Sequence, residues 1–160
     1  YSFMGLFDFF IKKDGEVITK HPRNKDYILS IEIYKEGSEE FWPPYCEVDL
    51  CFTSPPYYDW EKYSEEETQS YKKYPTVKEW IDGFLLNTID RCHYGLKPGG
   101  ILAMNGANTK RIKNFEEETL KLAKMLYFKH IDTWYLHLSS QKGTPKREPI
   151  FIFKKMVQLV

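Results

Sequence analysis

Apolar residues occur along the chain in short runs that predict strands. Val48–Phe52 is brief and nearly all apolar, as strands at the centre of a parallel sheet are. Tyr27–Tyr34 alternates loosely between apolar and polar residues, which is typical of a strand with one buried face. The polar residues 12–26 are expected to form a loop. Similar apolar runs predict further strands at Tyr1–Leu6, Ile101–Met104, Ile131–Leu138 and Ile150–Lys155.

Two other segments have the spacing of amphipathic helices. The first begins at Thr76, with Glu79 three residues later as the partner of a capping box. It ends before Lys97-Pro98-Gly99-Gly100, and Asn114–Tyr127 forms the second helix. The expected buried stripe of the first helix contains Trp80, Phe84, Leu85, Ile89 and Cys92. The expected inner stripe of the second contains Leu120, Ala123, Met125 and Leu126.

The order of these elements predicts one α/β domain over residues 1–160, with a sheet that ends in an antiparallel hairpin. The formal net charge is +0, whereas proteins that bind duplex DNA are usually basic because they neutralise phosphates. Charge therefore counts against strong non-specific DNA binding, although a locally basic face remains possible. The three cysteines, Cys46, Cys51 and Cys92, lack metal-ligand spacing and are interpreted as reduced thiols, so no metal site is expected. No apolar run is long enough to span a membrane.

Residues 53–57 read Thr-Ser-Pro-Pro-Tyr and directly follow the predicted strand Val48–Phe52. Pro55 and Pro56 have fixed φ angles and no N–H groups, so the loop offers carbonyl oxygens as acceptors. A flat ring that bears an amino group could donate to the Ser54 hydroxyl and to a main-chain carbonyl while it stacks on Tyr57. A nucleobase is such a ring. The alternative is a rigid turn between strand and helix, with Tyr57 covering the edge of the core.

The segment Val48–Tyr57 resembles motif IV of the DNA methyltransferases that methylate exocyclic amino groups. Residues 58–75 are similar to the continuation of this motif in phage-like and virus-like members of the family. Leu96–Gly100 resembles the turn before their fifth strand, and Glu148–Lys155 resembles their last strand. The resemblance implies a Rossmann-like sheet, mostly parallel with a C-terminal antiparallel hairpin, that begins after the family's first strand and helix.

The resemblance also implies a reaction, the transfer of a methyl group from S-adenosyl-L-methionine to a DNA base flipped out of the duplex. Ser54 and the Pro55 carbonyl would accept the two amino hydrogens, with Pro56 as the next residue of the rigid loop. Tyr57, together with Tyr58, would stack on the flipped base. Serine in place of the family's commoner aspartate favours N4 of cytosine as the target over N6 of adenine.

Four residues are implied to contact the cofactor: Asp8, Ser38, Glu39 and Thr53. Gly37-Ser38-Glu39 resembles the segment that lines the adenine pocket, and a plain turn after a strand is the alternative. Asp8 stands one residue further from Gly5 than the family pattern has it, so a surface aspartate is the alternative there. The glycine-rich loop of the family is missing from the sequence. Two alternatives are open: a preceding segment or a partner chain supplies the loop, or this polypeptide binds the cofactor poorly or not at all.

Lys142 and Arg147, in the predicted hairpin loop, are candidates for contacts with DNA phosphates, and solvated charges are the alternative. The family implies a cytoplasmic location in a bacterium or in a cell infected by a phage or virus. Three other functions remain open: a non-catalytic remnant that binds nucleic acid or a partner, an N6-adenine methyltransferase, and an amino-methyltransferase that acts on RNA or a small molecule.

Overall fold

The computed structural model of the chain describes residues 34–58, 65–138 and 146–157. The strand predicted at Tyr1–Leu6 lies outside these residues, as do the loop at residues 12–26 and the strand Tyr27–Tyr34 up to residue 33. Within the described part, four strands form one sheet, and helices connect the first strand to the second and the second to the third. The predicted α/β class is therefore confirmed.

The sheet has the strand order β1-β2-β4-β3. β1 and β2 are parallel, whereas β4 is antiparallel to both β2 and β3, which confirms the predicted C-terminal hairpin. The described part of the sheet is therefore mixed, and β1 is its outermost described strand. The central position expected for β1 depends on strands predicted before residue 34, which lie outside the described residues. The strands are β1 (Val48–Thr53), β2 (Leu96–Asn105), β3 (Phe128–Leu138) and β4 (Lys146–Lys155).

Residues 77–95 form one continuous helical stretch that crosses from β1 to β2, as a parallel pair of strands requires. A short helix, α1 (Ser70–Lys73), precedes it. The stretch has three consecutive parts, which are α2 (Val77–Glu79), a π-helical segment (Trp80–Leu85) and α3 (Leu86–Gly95).

The start of this helical stretch has the predicted capping box. The Glu79 backbone N–H donates to the Thr76 hydroxyl over 3.2 Å, and the Thr76 backbone N–H donates to the Glu79 carboxylate over 3.0 Å. The predicted buried stripe is also confirmed, because each of its five residues is at most 1% exposed: Trp80, Phe84, Leu85, Ile89 and Cys92. The indole of Trp80 lies 5.1 Å from the ring of Phe84, between ring centroids.

The second helix, α4 (Phe115–Met125), packs into the same hydrophobic core against the sheet. The prediction for its buried face was wrong at Met125, which is 55% exposed, whereas Leu122 is buried. The buried residues of α4 are Phe115, Thr119, Leu122 and Ala123, which follow an i, i+4, i+7, i+8 spacing. Met125 lies two residues beyond this series and outside its spacing, on an exposed part of the helix.

The break predicted at Lys97-Pro98-Gly99-Gly100 occurs inside β2. Val48 pairs with Leu96, but Leu50 already pairs with Ile101, so the intervening residues of β2 form an irregularity in the ladder. Gly99 has a φ of 81°, a left-handed conformation that glycine adopts without steric cost. This irregularity lets the chain pass from α3 into β2 without a separate loop.

The β3–β4 hairpin extends past the end of its neighbour β2. Asn105, the last residue of β2, pairs with Ile150, and Ile150 pairs on its other side with Trp134. From that level the β3–β4 ladder continues to the pair of Leu138 with Lys146. The hairpin therefore projects beyond the edge of the sheet at which β2 ends.

Candidate active site

The Ser54 loop and the end of β2 meet at one edge of the sheet. Thr53, the last residue of β1, pairs in parallel with Met104, so the next residues, Ser54 and Asn105, lie side by side. The Ser54 hydroxyl donates a hydrogen bond to the Asn105 Oδ1 atom over 3.2 Å. Ligands of α/β sheets bind outside the carboxyl ends of the strands, and this edge holds the carboxyl ends of the parallel pair.

The Asn105 amide is anchored to the neighbouring strand β4. Its Nδ2 group donates to the Pro149 carbonyl over 3.1 Å, and the Gly106 backbone N–H donates to the same oxygen over 3.2 Å. Asn105 is only 7% exposed. Asn105 was not among the residues predicted from the sequence. It is nevertheless a polar residue directly after the apolar run Ile101–Met104, which is the same signal that marks Ser54.

The loop presents Ser54 outward and packs its prolines inward. Ser54 is exposed, Pro55 and Pro56 are buried, and Tyr57 is half-buried. Because the two proline rings are held in the interior and their φ angles are fixed, the loop has little freedom to move relative to β1. The Ser54 hydroxyl is thus accessible on a rigid support, which is the geometry that a binding or catalytic group needs.

Tyr58 lies in the core. It is 7% exposed, its ring meets the Trp80 indole edge-on with 6.2 Å between centroids, and its hydroxyl donates to the Pro75 carbonyl. These contacts hold the residues after the loop against the long helical stretch. The stacking role predicted for Tyr58 needs an exposed ring face, which this position does not provide.

Ser38 and Glu39, predicted to contact the cofactor, are buried beside the helices. The Ser38 hydroxyl is hydrogen-bonded to the Thr88 hydroxyl of α3 over 3.0 Å. The Glu39 Oε1 atom accepts from the Lys73 ammonium of α1 over 2.9 Å. Glu39 is 5% exposed, and within the described part of the chain its Oε2 atom is buried without a hydrogen-bond partner. A buried oxygen of this kind is expected to accept a hydrogen bond from a donor.

Lys73 joins both acidic residues of this turn. Its ammonium lies 2.9 Å from Glu39 and 2.5 Å from the Glu40 carboxylate. Burial alone would lower the pKa of Lys73, but the hydrogen bonds to Glu40 and Glu39 outweigh it and raise that pKa above its usual value. Lys73 therefore stays charged at neutral pH and fixes the orientation of the Glu39 carboxylate.

The other residues predicted to form the site are Thr53, Arg147, Asp8 and Lys142. Thr53 is buried within β1. Arg147 is exposed on β4, opposite His137 of β3, in the part of the hairpin that projects beyond Asn105. Asp8 and Lys142 lie outside the described residues.

The cysteines do not form a nucleophilic or metal site. All three are free thiols, and Cys51 and Cys92 are buried side by side between β1 and α3. The hydrogen bond that Cys92 makes to Cys51, together with burial, raises the pKa of the Cys92 thiol and so favours its protonated form. Among residues 34–58, 65–138 and 146–157, no cluster of three metal-ligating side chains occurs, and none of the helices is long and apolar enough to cross a membrane.

Comparison with known proteins identifies relatives at the level of family and fold. Residues 48–158 match the family model of the N6/N4 type described as DNA methylase. A DNA modification methylase of Thermus thermophilus has a similar fold, with a TM-score of 0.53 and 18% identity over 77% of this chain and 51% of that chain. This chain therefore spans about half the length of the Thermus protein. No curated protein matches the sequence significantly.

Two further structures have lower similarity. A SAM-dependent methyltransferase of Methanosarcina mazei gives a TM-score of 0.49 at 11% identity, over 77% of this chain and 66% of that chain. The Thermus protein complexed with S-adenosyl-L-methionine gives a TM-score of 0.48 at 17% identity, over 77% of this chain and 53% of that chain. At these identities the structural likeness establishes the fold alone.

Proposed function

The chain belongs to the N6/N4 DNA methylase family, and we propose that it transfers a methyl group from S-adenosyl-L-methionine to an exocyclic amino group of a DNA base, with N4 of cytosine as the preferred target. One observation carries this proposal. Ser54 is exposed at the carboxyl edge of the parallel strands, on a loop whose two prolines are buried. This loop lies within the residues that match the family model, and we assign the chemistry to it.

The proposed chemistry uses Ser54 and the Pro55 carbonyl as acceptors for the two hydrogens of the amino group. Both hydrogen bonds draw the nitrogen lone pair out of conjugation with the ring, and the nitrogen becomes a nucleophile. The bond from nitrogen to the methyl carbon forms as the bond from that carbon to sulfur breaks, and one amino proton leaves to solvent. No covalent intermediate with the protein is needed, so catalysis consists of positioning and electrostatics.

The cofactor supplies an activated methyl group on a positively charged sulfur. Glu39 fits a role in holding it, because its buried Oε2 atom lacks a donor within the described residues and could accept from a hydroxyl group of the cofactor. The Ser38 hydroxyl is already bonded to Thr88, and Thr53 is buried, so they would support the pocket by packing. Asp8, which lies outside the described residues, stays a candidate for contact with the cofactor.

The DNA side of the site is assigned to Tyr57, Arg147 and Lys142. Tyr57 is half-buried beside Ser54 and would stack on the flipped base, for which aromatic rings contribute about 1–3 kcal/mol per base. Arg147 is exposed on the projecting hairpin, where its guanidinium could pair with a phosphate. Lys142 would act in the same way from the hairpin loop.

The first prediction tests the proposed acceptor. Ser54→Ala is expected to lower the rate of methyl transfer to unmethylated duplex DNA by about 10²–10³-fold, as loss of one hydrogen-bond partner in an active site typically does. Thr68→Ala is the matched control, because Thr68 is an exposed hydroxyl residue outside the loop. Transfer is measured with cofactor labelled in the methyl group, and the modified nucleoside is identified after digestion.

The products separate the alternatives. Formation of N4-methylcytosine supports the proposal. Formation of N6-methyladenine shows that the target is adenine instead of cytosine. Label transferred to RNA in competition with duplex DNA shows that the substrate is RNA. If the wild-type chain binds DNA but transfers no label, the result supports the alternative of a non-catalytic binding remnant. Equal rates for the wild type and Ser54→Ala would contradict the role of Ser54.

A further inference from the structure

The Ser54 hydroxyl ends a chain of hydrogen bonds whose direction is set at its other end. The Pro149 carbonyl oxygen can only accept, so the Asn105 atom that lies 3.1 Å from it must be the NH₂ group. The other amide atom of Asn105, Oδ1, then faces Ser54 at 3.2 Å. Because Oδ1 can only accept, the Ser54 hydroxyl must donate its proton to it.

The support for this chain is rigid. Asn105 is the last residue of β2, it is 7% exposed, and its backbone pairs with Ile150 of β4. The Pro149 carbonyl is held in the same ladder, because the Gly106 backbone N–H also donates to it over 3.2 Å. A rotated Asn105 amide would place its oxygen against the Pro149 oxygen and leave two buried acceptors facing each other, which is unfavourable.

We infer that Asn105 is a positioning residue that holds the Ser54 hydroxyl as a hydrogen-bond acceptor and thereby selects a base with an amino group over one with a carbonyl oxygen at the same position. A hydroxyl has one proton and two lone pairs. With the proton committed to Asn105, only lone pairs face the substrate. An amino group donates to them, whereas a carbonyl oxygen is repelled. This inference rests on the proposed function.

The role is specific to serine at position 54. An ionised aspartate at position 54 could not donate a hydrogen bond to Asn105, since a carboxylate has no proton. Asn105 Oδ1 would then face a second acceptor and repel it. The structure therefore assigns Asn105 opposite effects in the two backgrounds, favourable beside Ser54 and unfavourable beside Asp at that position.

The test measures methyl transfer by the full chain in a cycle of four proteins: wild type, Asn105→Ala, Ser54→Asp, and the double variant. Asn105→Ala is expected to lower kcat about 10–100-fold, the usual cost of removing a group that orients an active-site residue, with little change in KM for DNA. In the Ser54→Asp background the same substitution is expected to leave kcat unchanged or to raise it. Thermal unfolding of each variant monitors folding.

The test compares the effect of Asn105→Ala on kcat in the wild-type background and in the Ser54→Asp background. A structural role would make Asn105→Ala equally harmful in both backgrounds, so an equal loss would overturn the inference while the proposed function stands. A second measurement needs no catalysis and compares binding of oligo-dC and oligo-dU. Wild type is expected to prefer oligo-dC, and Asn105→Ala is expected to weaken that preference, with the Pro55 carbonyl left as the remaining acceptor.

The binding measurement also separates the two proposals if transfer fails. The wild-type chain could transfer no methyl group and still prefer oligo-dC, with that preference weakened in Asn105→Ala. This result would refute the catalytic proposal and support the inference. Absence of any preference between oligo-dC and oligo-dU in the wild type overturns the inference.

Discussion

The His93 imidazole lies in a setting that favours its neutral form. It is half-buried at the end of α3 and meets the Phe128 ring edge-on, with 5.3 Å between ring centroids. Burial lowers the pKa of His93 below its ordinary 6.5, the charge of Lys155 lowers it further, and Asp90 offsets part of this effect. In the described part of the chain, the buried Nε2 atom has no hydrogen-bond partner.

This environment predicts a pH-dependent stability. In the native state His93 binds a proton less readily than in the unfolded state, so the free energy of unfolding should be highest above pH 6.5 and fall as the pH drops from there towards the native pKa. His93→Gln should flatten that dependence, and His137→Gln, at an exposed position on β3, should not. Urea unfolding between pH 5 and 8 measures it, and identical slopes for wild type and His93→Gln would contradict the prediction.

The residues of the candidate site were predictable to the extent that their chemistry is local. Ser54, Pro55, Pro56 and Tyr57 are adjacent in sequence, so acceptor and stacking roles could be proposed for them without a fold. Asn105 could not be joined to Ser54, because only the register between β1 and β2 brings two residues 51 positions apart into contact. The burial of Tyr58 likewise depends on Trp80, which is distant in sequence.

The start of the long helical stretch was predicted from the sequence more accurately than its interior, because the start depends on contacts between neighbouring residues. The reciprocal hydrogen bonds of Thr76 and Glu79 involve neighbours only, and the predicted start of the helix is correct. The π-helical segment Trp80–Leu85 has no comparable signal in the sequence, since its three buried residues have ordinary helical spacing. The irregularity at Lys97–Gly100 depends on pairing with β1, which the sequence does not reveal.

The capping box provides a test at this helix. Thr76→Ala removes the acceptor for the Glu79 backbone N–H, so we expect the free energy of unfolding to fall by about 1 kcal/mol. Thr68→Ala is again the control, because Thr68 has only a long contact, of 3.5 Å, to the Glu66 carboxylate. Urea unfolding of both variants at one pH compares them, and a loss of equal size in the control would contradict a capping effect.

Across the fold, Lys155 ties the last strand to the end of the long helical stretch. Its ammonium donates to the His93 and Leu96 carbonyls, over 2.7 Å in each case, and residue 155 is 8% exposed. Carbonyl groups at the C-terminus of a helix lack partners within the helix, and a cation there is stabilising. One side chain thus joins β4, α3 and the start of β2.

Removing this side chain should weaken the whole domain. Lys155→Ala is expected to lower the free energy of unfolding by about 1.5–3 kcal/mol, the usual contribution of hydrogen bonds from a charged group, because buried carbonyls lose their donor. Lys154→Ala is the matched control, one residue earlier on the same strand and exposed. Chemical unfolding followed by fluorescence measures the difference, and equal stabilities of the two variants would refute the prediction.

The stagger between β2 and the β3–β4 hairpin has a consequence for access. Beyond the level of Asn105 the hairpin continues for four residues on each strand, which at 3.4 Å per residue is about 14 Å. The strand order places β2 between this hairpin and β1, which leads to Ser54, and Trp134 and Tyr135 of the hairpin are exposed. Under the proposed function, a nucleic acid bound at Ser54 would be flanked on the β4 side by this hairpin and its exposed aromatic residues, which would limit the directions from which a base can enter.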